Sequence, residues 1–181
     1  MIEDKIASGE KLSNHERVLE EAKFPDKSKV EMDIKYGSSL RKWYSHLFND
    51  DPVRPHLTEE FRLSNNRLGL ALIDNHNCKA AVCIAISNEV PTNEIELDEF
   101  SSDKTNFEKS IAIFYTIWSY DKGCGRKMLF NAVDWLQKNR PEIKRFVTLS
   151  PKNNMARNFH LKNGAKELSV NSDSLNFEYF L

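Results

Sequence analysis

The sequence predicts an α/β (α+β) domain: a mixed central sheet of about six or seven strands flanked by helices, with an extra N-terminal helix. Three observations predict it. Ser110 to Gln137 reads as a buried strand, a glycine turn and an amphipathic helix. A second strand-to-helix unit runs from Phe146 to Ala165. Leu68–Ile73 and Lys79–Ser87 are apolar on both alternating faces and joined across Asp74-Asn75-His76-Asn77, as in an antiparallel hairpin at the centre of a sheet.

In chain order, residues 1–27 open polar. Ser13-x-x-Glu16 then forms a capping box before Val18, Leu19 and Ala22, and Pro25 is the stop. This is a helical extension, leaving 28–181 as the principal domain. Val30, Met32 and Ile34 alternate with polar neighbours as a half-exposed strand does, and Gly37-Ser38-Ser39 breaks it. Leu40, Trp43, Tyr44 and Leu47 form one apolar helical stripe, a packing helix or else an aromatic ligand-binding one, ended by Asn49-Asp50-Asp51-Pro52. Thr58 caps a short helix before the turn Ser64-Asn65-Asn66. From Asn88 to Lys109 the chain is acidic and poor in apolar residues. It reads either as a solvated charge run or as a functional segment whose acidic residues draw in a cation.

Ile111–Trp118 is β-branched and aromatic with almost no charge, which suits a strand covered on both faces. Met128, Leu129, Ala132, Val133 and Leu136 recur at helical spacing until Arg140-Pro141. Phe146–Ser150 is a short apolar strand, Asn153 or Asn154 caps the next helix, and Gly164 stops it. Leu175, Phe177, Tyr179 and Leu181 alternate with Asn176, Glu178 and Phe180, so the last strand buries one face.

A chain of 181 residues suits one domain with a substantial core. Its net charge of -1 argues against a protein built to neutralise a phosphate backbone, so nucleic acid is not an expected partner. Cys78, Cys83 and Cys124 include no Cys-x-x-Cys pair, so neither a disulfide framework nor a metal site is expected, and a reducing cytoplasmic setting is. No segment approaches the ~20 apolar residues that span a bilayer, and the N-terminus lacks a leader pattern. A soluble protein without a membrane partner is the expectation.

The turn Tyr120-Asp121-Lys122-Gly123-Cys124-Gly125-Arg126 leaves the first N–H groups of the following helix unpaired and unobstructed, at the positive end of the helix dipole. That is the chemistry of an anion site. A dinucleotide fingerprint wants a third glycine where Met128 stands, and a P-loop wants four residues between its glycines followed by Lys-Ser/Thr. Neither fits, and an ordinary tight turn before a helix stays open as the other reading.

Gly123 and Gly125, with Tyr120 in place of an Arg or Gln, resemble the Arg/Gln-x-x-Gly-x-Gly/Ala turn of the GNAT superfamily of acyl-CoA-dependent N-acetyltransferases. Asn153, Ala156 and Gly164 match that family's later Asn-x-x-Ala-x-x-x-Tyr-x-x-x-Gly-Phe pattern, with His160 for the Tyr and Ala165 for the Phe. The motifs cover the C-terminal half, and the rest agrees in element order.

The resemblance implies acetyl-CoA as acyl donor, held by Tyr120, Asp121, Lys122, Gly123, Cys124, Gly125 and Arg126 around the pyrophosphate, with Lys127 adding charge. It points to the main chains of Tyr115, Thr116 and Ile117, on a bulged and splayed strand, for the pantetheine arm and the thioester carbonyl. Asn153 or Asn154 completes the cofactor wall or serves only as a helix cap. His160 stands where the family's general acid is, and its alternative is a packed core histidine. It donates well only if its surroundings favour the charged form. The acceptor is a small-molecule or peptide amine, with Tyr44, His46, Arg54 and His56 as candidate contacts or, in the other reading, solvated or packing side chains. No general base is named. A noncatalytic acyl-CoA-binding module and another acyl-CoA reaction such as decarboxylation remain alternatives, and a homodimer is one option for the oligomeric state.

Overall fold

The computed structural model describes the backbone of residues 29–33 and, in full, residues 47–74, 77–105 and 108–181. The helices expected over 1–27 and from Leu40 lie outside these, apart from a 3-10 turn at Leu47–Asp50. Tyr44 and His46 lie outside them too.

The strands are β1 (Lys29–Asp33), β2 (Arg67–Asp74), β3 (Asn77–Ser87), β4 (Ile111–Ser119), β5 (Arg145–Thr148), β6 (Ser150–Pro151), β7 (Lys166–Val170) and β8 (Ser174–Tyr179). The helices are α1 (Glu59–Leu63), α2 (Glu94–Ser102), α3 (Cys124–Asn139) and α4 (Asn154–Lys162). All the described strands belong to one sheet, ordered β1-β2-β3-β4-β5-β8-β6, with β7 on β8. Only Leu149 separates β5 from β6 and both pair with β8, so the two count as one interrupted strand of a seven-stranded sheet. The pairings are antiparallel except β4 with β5, which run parallel because α3 crosses between them. The mixed sheet and the central hairpin expected from the sequence are both present.

Among the described residues each face of the sheet carries two helices. Leu70, Val82, Ile84, Ala112 and Phe114 meet the buried stripe Met128, Leu129, Ala132, Val133 and Leu136 of α3. On the other face Ala81, Cys83, Ala85, Ile113 and Tyr115 pack with Leu47, Leu63 and Leu97. Burial on both faces explains why β3 and β4 are apolar at successive positions.

Two elements carry no apolar signature. The acidic stretch contains α2, capped by Asn93 Oδ1 accepting from Glu96 N at 3.0 Å, and only Leu97 and Ser101 of α2 are buried. Its charge is not a bare run: Glu94 pairs with Arg54 and Asp98 with Arg67. β7 is almost wholly exposed at the sheet margin and offers no buried alternation to read.

β4 is irregular where the site forms. Its register against β3 passes from Thr116↔Cys83 to Phe114↔Ile84, leaving Tyr115 as an extra residue in a bulge. Its pairing with β5 ends at Phe114↔Thr148, followed by a last bond from Leu149 N to Phe114 O at 3.0 Å. Beyond that point β4 and β6 part.

Candidate active site

A cavity of about 570 Å³ opens where the strands part. Phe114–Ser119 of β4 form one wall and Ser150-Pro151 of β6 another, while Gly125 and Leu129 of α3, Asn153, Met155, Ala156, Phe159 and His160 at α4, and Pro52-Val53 complete it. The lining is mostly apolar, and no Asp, Glu, Lys or Arg contributes to it.

Of the residues expected to hold the cofactor, Tyr115, Thr116, Ile117, Gly125 and Asn153 line this cavity. Asn153 is the cap of α4, its Oδ1 accepting from Ala156 N at 2.8 Å, whereas Asn154 is exposed and outside the lining. Tyr120, Asp121, Lys122, Gly123, Cys124 and Arg126 form the turn and first residues around Gly125. Gly123 takes φ 83°, a left-handed conformation that favours glycine, and a Cβ there would meet nothing within 4 Å. The carboxylate of Asp121, awkward beside a phosphate, is countered by Lys79 at 2.7 Å. The Tyr120 hydroxyl turns to Asp50 Oδ2 at 2.7 Å.

The loop opposite is pinned from below. Asp51 Oδ1 accepts from Val53 N at 2.8 Å, Arg54 N at 3.1 Å and Thr116 Oγ1 at 2.8 Å, while its Oδ2 meets Arg62 Nη1 at 2.8 Å. The side chains of Asp51 and Arg62 are fully buried. Arg54 bridges the parting strands, donating to the carbonyls of Tyr115 and Leu149 and pairing with Glu94. Of its two readings the guanidinium takes the packing one, clamping the strands from outside the cavity lining. His56 is exposed beside Glu94 at 2.7 Å and also outside the lining.

His160 is 4% exposed, and burial pushes its imidazole down to about 3, so it is neutral near pH 7. Its surroundings therefore do not favour the charged form that would make it a strong donor. Nε2 lies 2.9 Å from Ser150 Oγ and Nδ1 lies 2.8 Å from Tyr179 Oη. Its ring stacks on Phe177 and meets Phe159 edge-on. Pro52, Val53, Ser119 and Phe159 were not legible as site residues, because they reach the cavity through tertiary packing and carry no motif of their own. Glu108, the carboxylate near the start of β4, is exposed and outside the lining.

Among the described residues no cluster of His, Cys, Asp and Glu is set to hold a metal ion, and no helix is long and apolar enough to cross a membrane.

No family model matches the chain, and no curated protein matches it in sequence. Solved structures do. The chain is similar over 84% of its length to a malonyl-CoA decarboxylase from Agrobacterium vitis, at TM-score 0.59 and 20% identity, and covers 41% of that chain. It is similar to the GNAT domain of S. lividans PAT over 84% of its length and 89% of that domain, at TM-score 0.57 and 13% identity. The structure of AAC(6')-Ib in complex with acetyl-CoA matches over 84% of this chain and 93% of that one, at TM-score 0.56 and 14% identity. The chain has the GNAT fold. It spans about two fifths of the decarboxylase it matches.

Proposed function

We propose that this chain is an acyl-CoA enzyme acting at a thioester carbonyl. The observation that carries the reading is the cavity between the parted strands, with Gly125 at the start of α3 in its wall. The residues present suit coenzyme A. Backbone N–H groups at the start of α3 meet the diphosphate, with Lys122, Arg126 and Lys127 adding charge. The main chain of Thr116 and Ile117 meets the pantetheine arm and the carbonyl, and Asn153 contributes at the wall.

The first reaction we propose is transfer of an acetyl group from acetyl-CoA to a primary amine by direct attack on the thioester. The acceptor is a small molecule or a peptide, and the GNAT fold together with a neighbour that holds acetyl-CoA supports it. His160, at the position of the family's acid, stands beside the departing sulfur in this reading. A thiol near pKa ~8.5 leaves tolerably well, so a neutral imidazole suffices there.

One observation favours a second reaction. The cavity lining offers no carboxylate to take a proton from an amine and no cation to solvate a carboxylate. A malonyl-type thioester bound there would hold its carboxylate in surroundings that destabilise it relative to neutral carbon dioxide. The carbon–carbon bond breaks, its electrons form a thioester enolate, and a proton from solvent or a wall donor completes acetyl-CoA. The likeness to a malonyl-CoA decarboxylase supports this alternative.

The test begins with thermal melts. Acetyl-CoA or CoA at ~100 times its dissociation constant adds about 2.7 kcal/mol of stability, or roughly 5–10 °C for a domain of this size. No shift with either at millimolar concentration would remove the acyl-CoA reading. Thiol release from acetyl-CoA with a panel of amines identifies acetyl transfer; acetyl-CoA and carbon dioxide from malonyl-CoA identify decarboxylation. Binding without either product leaves the noncatalytic module.

A further inference from the structure

One buried side chain joins the two strands that part. Arg54 Nη1 donates to the carbonyl of Tyr115 on β4, and its Nη2 donates to the carbonyl of Leu149, between β5 and β6, at 3.1 Å. Both carbonyls lie just past the last rung between the strands, the bond from Leu149 N to Phe114 O. Two carbonyl oxygens that meet at one point cannot bond each other, so each needs a donor. A guanidinium supplies both donors from one rigid plane, which an ammonium on a flexible stem does not.

The guanidinium is aimed from a fixed base. The N–H of Arg54 donates to Asp51 Oδ1 at 3.1 Å and its carbonyl accepts from Arg62 Nη2 at 2.6 Å, so the buried Asp51–Arg62 pair holds the backbone on both sides. Nε donates to Glu94 Oε1 at 2.8 Å, and Glu94, the first residue of α2, turns its other oxygen to His56. All three side-chain nitrogens are thereby engaged. Burial works against this charge, Glu94 supports it, and an apolar side chain packed in the same place would avoid the cost altogether. The charge is kept where the sheet opens, and such departures from ordinary packing concentrate at functional sites.

What the bridge fixes is the first peptide of each wall. A peptide unit is planar, so holding the Tyr115 carbonyl sets the orientation of the Tyr115–Thr116 unit, which leads into the wall at Thr116 and Ile117. Holding the Leu149 carbonyl does the same for the unit that leads into Ser150-Pro151. Arg54 itself stays outside the lining, so its effect passes through these two peptides. We propose that Arg54 is a positioning residue: its guanidinium sets the separation of β4 and β6 where they part, and so the place at which a thioester carbonyl meets the main chain of Thr116 and Ile117. The role rests on the acyl-CoA reading and serves both reactions, since both need that carbonyl held.

The test uses the full chain and whichever substrate it turns over, acetyl-CoA with an amine or malonyl-CoA. Arg54→Lys keeps a charge beside Glu94 but loses the fork, so kcat per folded molecule should fall ~10²-fold, the scale of a small misplacement. KM for the thioester should stay within about twofold, because the diphosphate is gripped elsewhere, at the start of α3. In Arg54→Ala, guanidinium chloride at millimolar concentration should raise turnover about tenfold and saturably, where sodium chloride does not. A readout apart from activity is the Leu149 amide, which should exchange with solvent about tenfold faster in Arg54→Lys than in the wild type while the amides of α3 are unchanged. If neither variant folds, Glu94→Gln decides: its amide oxygen still accepts from Nε but carries no charge, and kcat should fall about threefold with KM unchanged. Wild-type kcat in Arg54→Lys, or in Glu94→Gln where that variant decides, would overturn the proposal. So would an Arg54→Ala protein indifferent to guanidinium, unchanged exchange at Leu149, or a loss seen only in Tm. If acetyl-CoA gave no thermal shift at all, the acyl-CoA reading would fall first, and exchange at Leu149 in the free protein would still show whether Arg54 holds the two strands.

Discussion

His160 stays neutral because it has been taken out of water with a phenol and a serine hydroxyl as partners and no carboxylate in hydrogen-bond contact. A consequence appears in stability. The unfolded imidazole takes up a proton below about 6.5, whereas the folded one resists until about 3, so in that window the unfolded chain binds more protons. Stability therefore falls as pH drops through the window, by about 1.4 kcal/mol per unit from this residue alone. Between pH 6.5 and pH 5 the wild type should lose about 2 kcal/mol more than His160→Gln, measured by urea unfolding. Equal losses in the two proteins would mean that the ring charges without unfolding. The sequence offered a packed core histidine as one of two readings of this residue, but its ionisation was not legible there. Tyr179 and Ser150 come from two other strands, and only the fold brings them to the ring.

At the scale of elements, the two turn glycines do different work. Gly123 is needed for its positive φ, so Gly123→Ala should cost about 1 kcal/mol, seen as a fall of roughly 2–4 °C in Tm with little specific effect on cofactor affinity. Gly125 has no such constraint. A Cβ there would sit 3.5 Å from Ser119 Oγ and 3.7 Å from Phe159 Cε2, ordinary contacts, and alanine suits a helix better than glycine by ~0.5–1 kcal/mol. Gly125→Ala should keep or raise Tm while weakening CoA binding, because the methyl group stands in the cavity wall. Unchanged CoA affinity in calorimetry would take the start of α3 out of the phosphate-binding role. The strand, turn and helix around these glycines could be read from the sequence because β4 is buried on both faces and α3 on one. α2 and β7 could not, since α2 buries two side chains and β7 is almost wholly exposed. The bulge at Tyr115 and the parting of β4 from β6 were also beyond local patterns, although the resemblance implied both. Arg54, which clamps that opening, lies 61 residues from Tyr115 and 95 from Leu149 in sequence.

Across the whole molecule, the buried pair of Asp51 and Arg62 joins parts of the chain that no single element connects. Arg62 also donates to the carbonyls of Leu57 at 3.0 Å and Arg54 at 2.6 Å, so α1, the 51–57 loop and β4 are held through one carboxylate and one guanidinium. Asp51→Ala would leave Arg62 buried without its countercharge, at a cost of about 3–5 kcal/mol, a large share of the 5–15 kcal/mol that holds a typical domain. Replacing both partners by apolar residues, as in Asp51→Leu with Arg62→Met, removes the unpaired charge and should recover part of that loss. Recovery should stay incomplete. Val53 N, Arg54 N and Thr116 Oγ1 would still have lost their acceptor, and such groups cost about 1–3 kcal/mol each when left buried without one. Because Pro52 and Val53 line the cavity, the double variant should also bind CoA more weakly than the wild type when both are fully folded. A double variant with native stability and native CoA affinity in parallel denaturation and calorimetry would show that the pair holds neither the fold nor the cavity wall.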